Sequence, residues 1–159
     1  NFIIMKKLIL LLLFIPLVSF GQTFNYNDLK DINSEKQFKR FSFENEFLKT
    51  AEYTNYLTYA QRYDKEEDTA GIWSYYYLKT GLFSFQLVKK YDGSSNDSFD
   101  RVLEQVKKNC TFYDFKEDGY GEYKKEFACY TCPGSAFPGK IGFARGDSSD
   151  YIETFTDFN

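Results

Sequence analysis

Histidine does not occur anywhere in this chain of 159 residues. Its absence removes Ser-His-Asp and Cys-His catalysis, imidazole metal ligation and histidine-based pH sensing together. Cysteine is limited to three residues, proline to three, and methionine and tryptophan to one each. Three thiols without an imidazole fall short of the four ligands a structural zinc site ordinarily takes, so no metal is expected. Glycine-rich phosphate loops and nucleophile signatures are missing as well, and no cofactor is expected. The one long apolar run, Leu8 to Val18, spans eleven residues and contains Pro16. A bilayer span needs ~20 apolar residues, so the run is too short to be a retained membrane anchor.

Placed after Met5, Lys6 and Lys7 and before Ser19-Phe20-Gly21, that run completes the cationic, apolar and small-residue zones of an export signal. Residues 1–21 are therefore expected to be a signal peptide cleaved before Gln22, with the residues ahead of Met5 read as non-native or an over-extended frame. No cysteine stands near the exit to carry a lipid anchor. Residues 22–159 are then a single exported domain, periplasmic or secreted, of a size that folds alone and without membrane association after cleavage. Losing Lys6 and Lys7 leaves 18 basic residues against 23 acidic ones, a net charge of −5. That sign gives nucleic-acid binding little electrostatic support.

What the chain has in excess is aromatic: 14 Tyr and 18 Phe bring the aromatic fraction to 21%. Such side chains favour strands and have much area to bury, which predicts a sheet-rich domain. One helical turn is expected within Asn27 to Ile32. Ser34-Glu35-Lys36-Gln37 has capping-box form and predicts a helix from about Glu35 to Leu48, with Phe38, Phe41 and Leu48 on one face and Phe43 off it. A Tyr- and Thr-rich strand is expected from Tyr53 to Tyr63, followed by a solvated loop at Lys65-Glu66-Glu67-Asp68. Ile72 to Lys79 and Leu82 to Lys90 read as a hairpin turning at Thr80-Gly81, where glycine supplies the left-handed backbone. Asp97 or Ser98 is expected to cap a second helix ending near Asn109, with Phe99, Val102, Leu103, Val106 and Cys110 facing the core. Strands are predicted at Thr111–Phe115, Gly121–Thr131, Lys140–Arg145 and Tyr151–Thr156.

This order predicts an α+β fold: an antiparallel sheet of six to seven strands with two helices on one face, and a degenerate α-β-β-β duplication. In element order the chain resembles tandem helix-plus-sheet inhibitor proteins of the β-lactamase-inhibitor kind.

Cys129 and Cys132 form a Cys-x-x-Cys pair, but a strand leads into it and Pro133-Gly134 blocks the helix start that would activate a redox thiol. A structural disulfide suits an exported protein better. Cys110 lies on the core face of its helix, and its partner is Cys129 or, alternatively, Cys132; a Cys129–Cys132 bridge is the remaining pairing.

The hairpin register places Ile72, Tyr76, Leu78, Phe83, Phe85 and Leu87 on one face and Trp73, Tyr75 and Tyr77, beside Ser84, Gln86 and Val88, on the other. An exposed Trp73, Tyr75, Tyr77 row would stack sugar rings or anchor a protein partner. Cover from the segment around Phe24, Tyr26 and Leu29 would instead make the row part of the core. Arg145-Gly146-Asp147 spells an adhesion-type tripeptide at a hairpin tip, although the turn itself explains the glycine. Asn96-Asp97-Ser98 and Asn109-Cys110-Thr111 have the form of glycosylation sites, which matter only on a eukaryotic secretory route. Acidic residues at Asp92, Asp97 and Asp100 miss calcium-loop spacing. The sequence therefore points first to an exported binding or inhibitory module for a protein or carbohydrate partner. Behind it stand a small carboxylate-based hydrolase of envelope polymers and a thiol-disulfide protein.

Overall fold

The structure is a computed structural model describing residues 23–156. The expected export signal, residues 1–21, lies outside the described residues. The first turn, α1 (Tyr26–Leu29), is closed by a capping box in which Asn25 accepts from the amides of Asn27 and Asp28 while Asp28 accepts from Asn25 N. Ser34 starts α2 (Glu35–Glu44) by accepting from Gln37 N, and Gln37 Oε1 reaches back one residue further than expected, to Asn33 N. A side-chain cap of this kind is worth about 1 kcal/mol.

Helix α2 ends at Glu44, four residues before the expected end. Asn45 turns its side-chain amide back to Phe41 O, at 3.0 Å, and Glu46 takes a left-handed φ of 59°. The chain reverses there, and Leu48 opens a strand, β1 (Leu48–Glu52), instead of closing the helix face. Seven strands follow: β2 (Tyr56–Gln61), β3 (Ile72–Tyr77), β4 (Phe83–Val88), β5 (Thr111–Asp118), β6 (Lys125–Thr131), β7 (Lys140–Arg145) and β8 (Ser149–Phe155). The third helix, α3 (Asp97–Asn109), lies between β4 and β5. Its cap is Asn96 and not Asp97 or Ser98: Asn96 has the extended backbone and accepts from Ser98 N, while Asp97 pairs with Lys90.

The eight strands form one antiparallel sheet in the order β1-β2-β3-β4-β8-β7-β6-β5. Two four-stranded meanders, each preceded by helix, thus meet where β4 pairs with β8. Among the described residues, eight strands and three α-helices stand where six to seven and two were expected, and each half of the sheet carries four strands. β1 is the strand that makes the halves equal.

All three helices feed one core. Phe24, Phe38 and Phe41 pack on Phe85 and on each other, with Phe24 to Phe85 and Phe38 to Tyr76 both at 5.0 Å between ring centroids. Phe99, Val102 and Val106 of α3 close the other half against Phe143, Ile141 and Ile152. Burying each such side chain contributes roughly 1.5–3 kcal/mol. Phe24, Tyr26 and Leu29 belong to this core, on the side of Phe85, and therefore do not cover Trp73, Tyr75 and Tyr77.

A disulfide joins Cys110, at the end of α3, to Cys132, just beyond β6. The Cys110–Cys129 pairing considered first is not made, and alternation along β6 is the reason. Ala128, Tyr130 and Cys132 pack with the helices, whereas Phe127 and Cys129 form a separate cluster with Ala144, Phe155 and Tyr151 on the other face. No described helix is long and apolar enough to cross a membrane.

Candidate functional site

The face opposite the helices is where the hairpin register puts the aromatic row. Ile72 opposes Leu87, Ser74 opposes Phe85 and Tyr76 opposes Phe83 on the core side, so Trp73, Tyr75 and Tyr77 point the other way with Ser84 and Gln86. Neighbouring strands extend the row. Tyr56 of β2 stands 6.5 Å from the Tyr75 ring and 6.2 Å from Tyr77, and Tyr53 stacks on Tyr56 at 4.6 Å. Trp73 is met edge-on by Tyr63 from the β2–β3 connection, at 5.6 Å.

On the same face Ser84 opposes Glu153, Gly142 opposes Glu153 from the other side, and Cys129 opposes Gly142. Small residues thus form a floor across the sheet, with Glu153 rising from it. Gly142 is required there: a β-carbon would come within 2.7 Å of Phe155 Cε2 and 2.9 Å of Cys129 Sγ. Gln86 opposes Tyr151 in the adjacent row, and Ala144 flanks Tyr151.

The sheet is not flat over this floor. β5 and β6 curl toward β8, which the strand order places three and two positions away. Lys116 of β5 lies 4.9 Å from the Phe155 ring, and Lys125 of β6 lies 4.6 Å from the Tyr151 ring. Such cation–π contacts are individually modest, about 0.5–1 kcal/mol at exposed sites. Asp118, the last residue of β5, lines the same cleft as Glu153. The result is a cleft of about 410 Å³ between the β3–β4 turn and the end of β5, lined by Tyr77, Thr80, Ser84, Asp118, Glu153 and Phe155 among others. A smaller hollow of about 140 Å³ adjoins it and shares Tyr77, Ser84 and Glu153, adding Tyr75, Gln86 and Tyr151.

Electrostatics single out Glu153. Burial raises its carboxyl to about pH 7, the neighbouring Asp118 charge and hydrogen bond add to the rise, and Lys125 and Lys116 offset it only in part. Burial also pushes the Tyr75 and Tyr77 phenols up, opposed at Tyr77 by its contact with Ser84 Oγ at 3.5 Å. The site therefore offers aromatic walls, a carboxyl of raised pKa and neutral hydroxyls.

Of the predicted site residues, Tyr75 and Tyr77 come together at the cleft, while Trp73 sits one row away beneath Tyr63. Glu153, Asp118, Tyr151 and Tyr56 were not anticipated. The signal for Glu153 was parity, since a glutamate between Ile152 and Thr154 faces away from the core. The signal for Asp118 lay in a curl that no local pattern announces.

Other motifs are absorbed by the fold. Arg145 reaches Ser95 and Asp100 and lies 4.9 Å from the Phe99 ring, so the Arg145-Gly146-Asp147 tripeptide is not presented free. Cys129 is fully buried, and burial raises its thiol to about 11, which leaves little thiolate at neutral pH; Cys132 is already bonded to Cys110. No group of three or more potential metal-ligating side chains occurs among the described residues. No family model, curated protein or solved structure matches the chain.

Proposed function

We propose that this chain is an exported binding or inhibitory module that takes a protein or carbohydrate partner on the open face of its sheet. The observation that carries the reading is the position of Tyr75 and Tyr77 on the face opposite all three helices, walling a cleft with a small-residue floor. Aromatic rings with a polar tip give area at low entropic cost, the usual make-up of a binding hot spot. Export is supported by the signal-like residues 1–21 and by the Cys110–Cys132 disulfide, which persists best in an oxidising compartment.

A carboxylate-based hydrolase of envelope polymers is the second reading, favoured by the convergence of Asp118 and Glu153 and by the raised Glu153 carboxyl.

The test is capture from native envelope and culture medium by the processed protein and by Tyr77→Ala. The binding reading expects Tyr77→Ala to lose at least tenfold in capture at an unchanged melting temperature, and Phe43→Ala, on the far side of the molecule, to retain it. Equal capture by both variants overturns the assignment of this face. Turnover of envelope polymer that is lost in Glu153→Gln would instead select the hydrolase.

A further inference from the structure

The aromatic packing of the core does not stop at the sheet edge. From Phe99 of α3 the rings run to Phe143 at 5.9 Å, Tyr130 at 6.0 Å, Phe112 at 5.7 Å and Phe115 at 5.1 Å, each measured from the ring before it. The series ends in solvent. Tyr130 is 8% exposed, but Phe112 and Phe115 are 46% and 57% exposed. Both lie on β5, the edge strand that leaves the Cys110–Cys132 bridge and has β6 on one side only. A bulge sets their direction. The register skips Tyr113, so Phe112 opposes Tyr130 and Phe115 opposes Ala128 on the helix side, while Asp114 and Lys116 oppose Cys129 and Phe127 on the open side.

The backbone of β5 is poised in the same place. The Phe115 amide donates to Asp114 Oδ1 at 2.8 Å and therefore points away from β6, toward the outer edge. An edge amide of this kind is a template for a further strand.

We propose that β5 is the self-association edge of this protein: two copies pair their β5 strands antiparallel about a two-fold axis at Phe115, joining both sheets into one. With Phe115 opposite its own counterpart, Asp114 of each copy stands opposite Lys116 of the other. The two Phe115 residues exchange amide and carbonyl bonds across the axis, which releases each Asp114 carboxylate from its own backbone to meet that lysine. Pairs flanking a hydrogen-bonded pair are the closer kind, so opposite charges there reinforce the register. Lys116 lies 4.9 Å from the Phe155 ring in a single copy, and its flexible stem lets the ammonium turn to the facing carboxylate. On the helix side the two Phe115 rings meet beside the two Phe112 rings and complete the series that a single copy leaves open.

The charges select this register and this partner. Moving the axis by half a residue sets Asp114 opposite Phe115 and Lys116 opposite Tyr113, and both ion pairs are lost. The other edge strand offers no equivalent, since β1 has five residues and its Lys49 and Glu52 pair with each other. A β1-to-β5 contact would also be head-to-tail and open-ended, whereas the β5 pair closes at two copies. The inference is independent of the open-face assignment, whose rings Tyr75 and Tyr77 lie on β3.

The test is the mass of the processed protein by sedimentation equilibrium, over a series from micromolar to submillimolar concentration. The proposal expects the mass to rise from one copy to two and to stop there. Asp114→Lys sets lysine against lysine across the axis and Lys116→Glu sets acid against acid, so each variant alone is expected to dimerise at least tenfold more weakly. Mixed, the two regain both ion pairs and form a heterodimer at wild-type strength. A wild-type mass that stays at one copy or grows past two overturns the proposal. So does undiminished dimerisation of either variant alone, or a mixture of the two folded variants that stays monomeric. If Lys116→Glu unfolds on losing its contact with Phe155, Phe115→Arg replaces it: two guanidinium groups then meet at the axis, and dimerisation at wild-type strength overturns the proposal equally.

Discussion

Glu153 sits in the middle of a sheet face with its carboxyl largely shielded from water, and this costs folding free energy at neutral pH. Its carboxyl titrates at about 7 in the folded protein against an ordinary value of 4.5. Between those values the unfolded chain has released the proton and the folded one retains it. Stability is therefore full below pH 4.5 and falls as pH rises to about 7. At ~1.4 kcal/mol per pH unit, discounted because the carboxyl is partly open to water, the loss is about 2 kcal/mol. Glu153→Gln removes the titrating group, so its urea-unfolding free energy is expected to gain about 2 kcal/mol on wild type between pH 4 and pH 8. A parallel pH dependence in the two proteins would show that Glu153 is solvated. In a chain without histidine, the Glu153 carboxyl supplies a titration near neutrality.

Elements differed in how much of them could be read from local pattern. The faces of the β3–β4 hairpin were legible from their period-two pattern, but its turn is wider than Thr80-Gly81: Tyr77 N bonds to Leu82 O, so Leu78 and Lys79 join the loop with Gly81, at φ 70°. Helix α3 was legible from its apolar spacing and from the polar residues at its start. β1 was not, because Leu48 fits a helical face as well as a strand, and only the back-folded Asn45 and left-handed Glu46 separate the two. The disulfide partner was undecided for a related reason: alternation placed Cys129 and Cys132 on opposite faces, but which face met α3 depended on a register set by distant strands. Cys110–Cys132 closes a loop with a sequence separation of 22, which the chain-entropy argument values at about 3 kcal/mol. Replacing both cysteines by alanine is expected to lower the unfolding free energy by about that amount, with far-UV circular dichroism unchanged. A loss below 0.5 kcal/mol would mean that α3 and β6 are held by packing alone.

For the molecule as a whole, the account divides the sheet into a face that folds the protein and a face that works. Helix-side burial of Phe24, Phe38, Phe83, Phe85 and Phe99 accounts for the first, and each is fully buried or nearly so. The second has tyrosine walls, a floor of Ser84 and Gly142, and a hairpin curled over it. That curl is a property of the whole sheet, and it is why Asp118 and Glu153 could not be placed in one cleft from sequence. The division is tested most directly by hydroxyl-radical footprinting of the processed protein, free and bound to the material it captures. Tyr53 and Tyr77, at 52% and 41% exposure, are expected to lose reactivity on binding, while Phe43 and Tyr91, at 84% and 110%, keep theirs. Protection of Phe43 or Tyr91 with Tyr77 unchanged would contradict the account and move the site to the other side of the molecule.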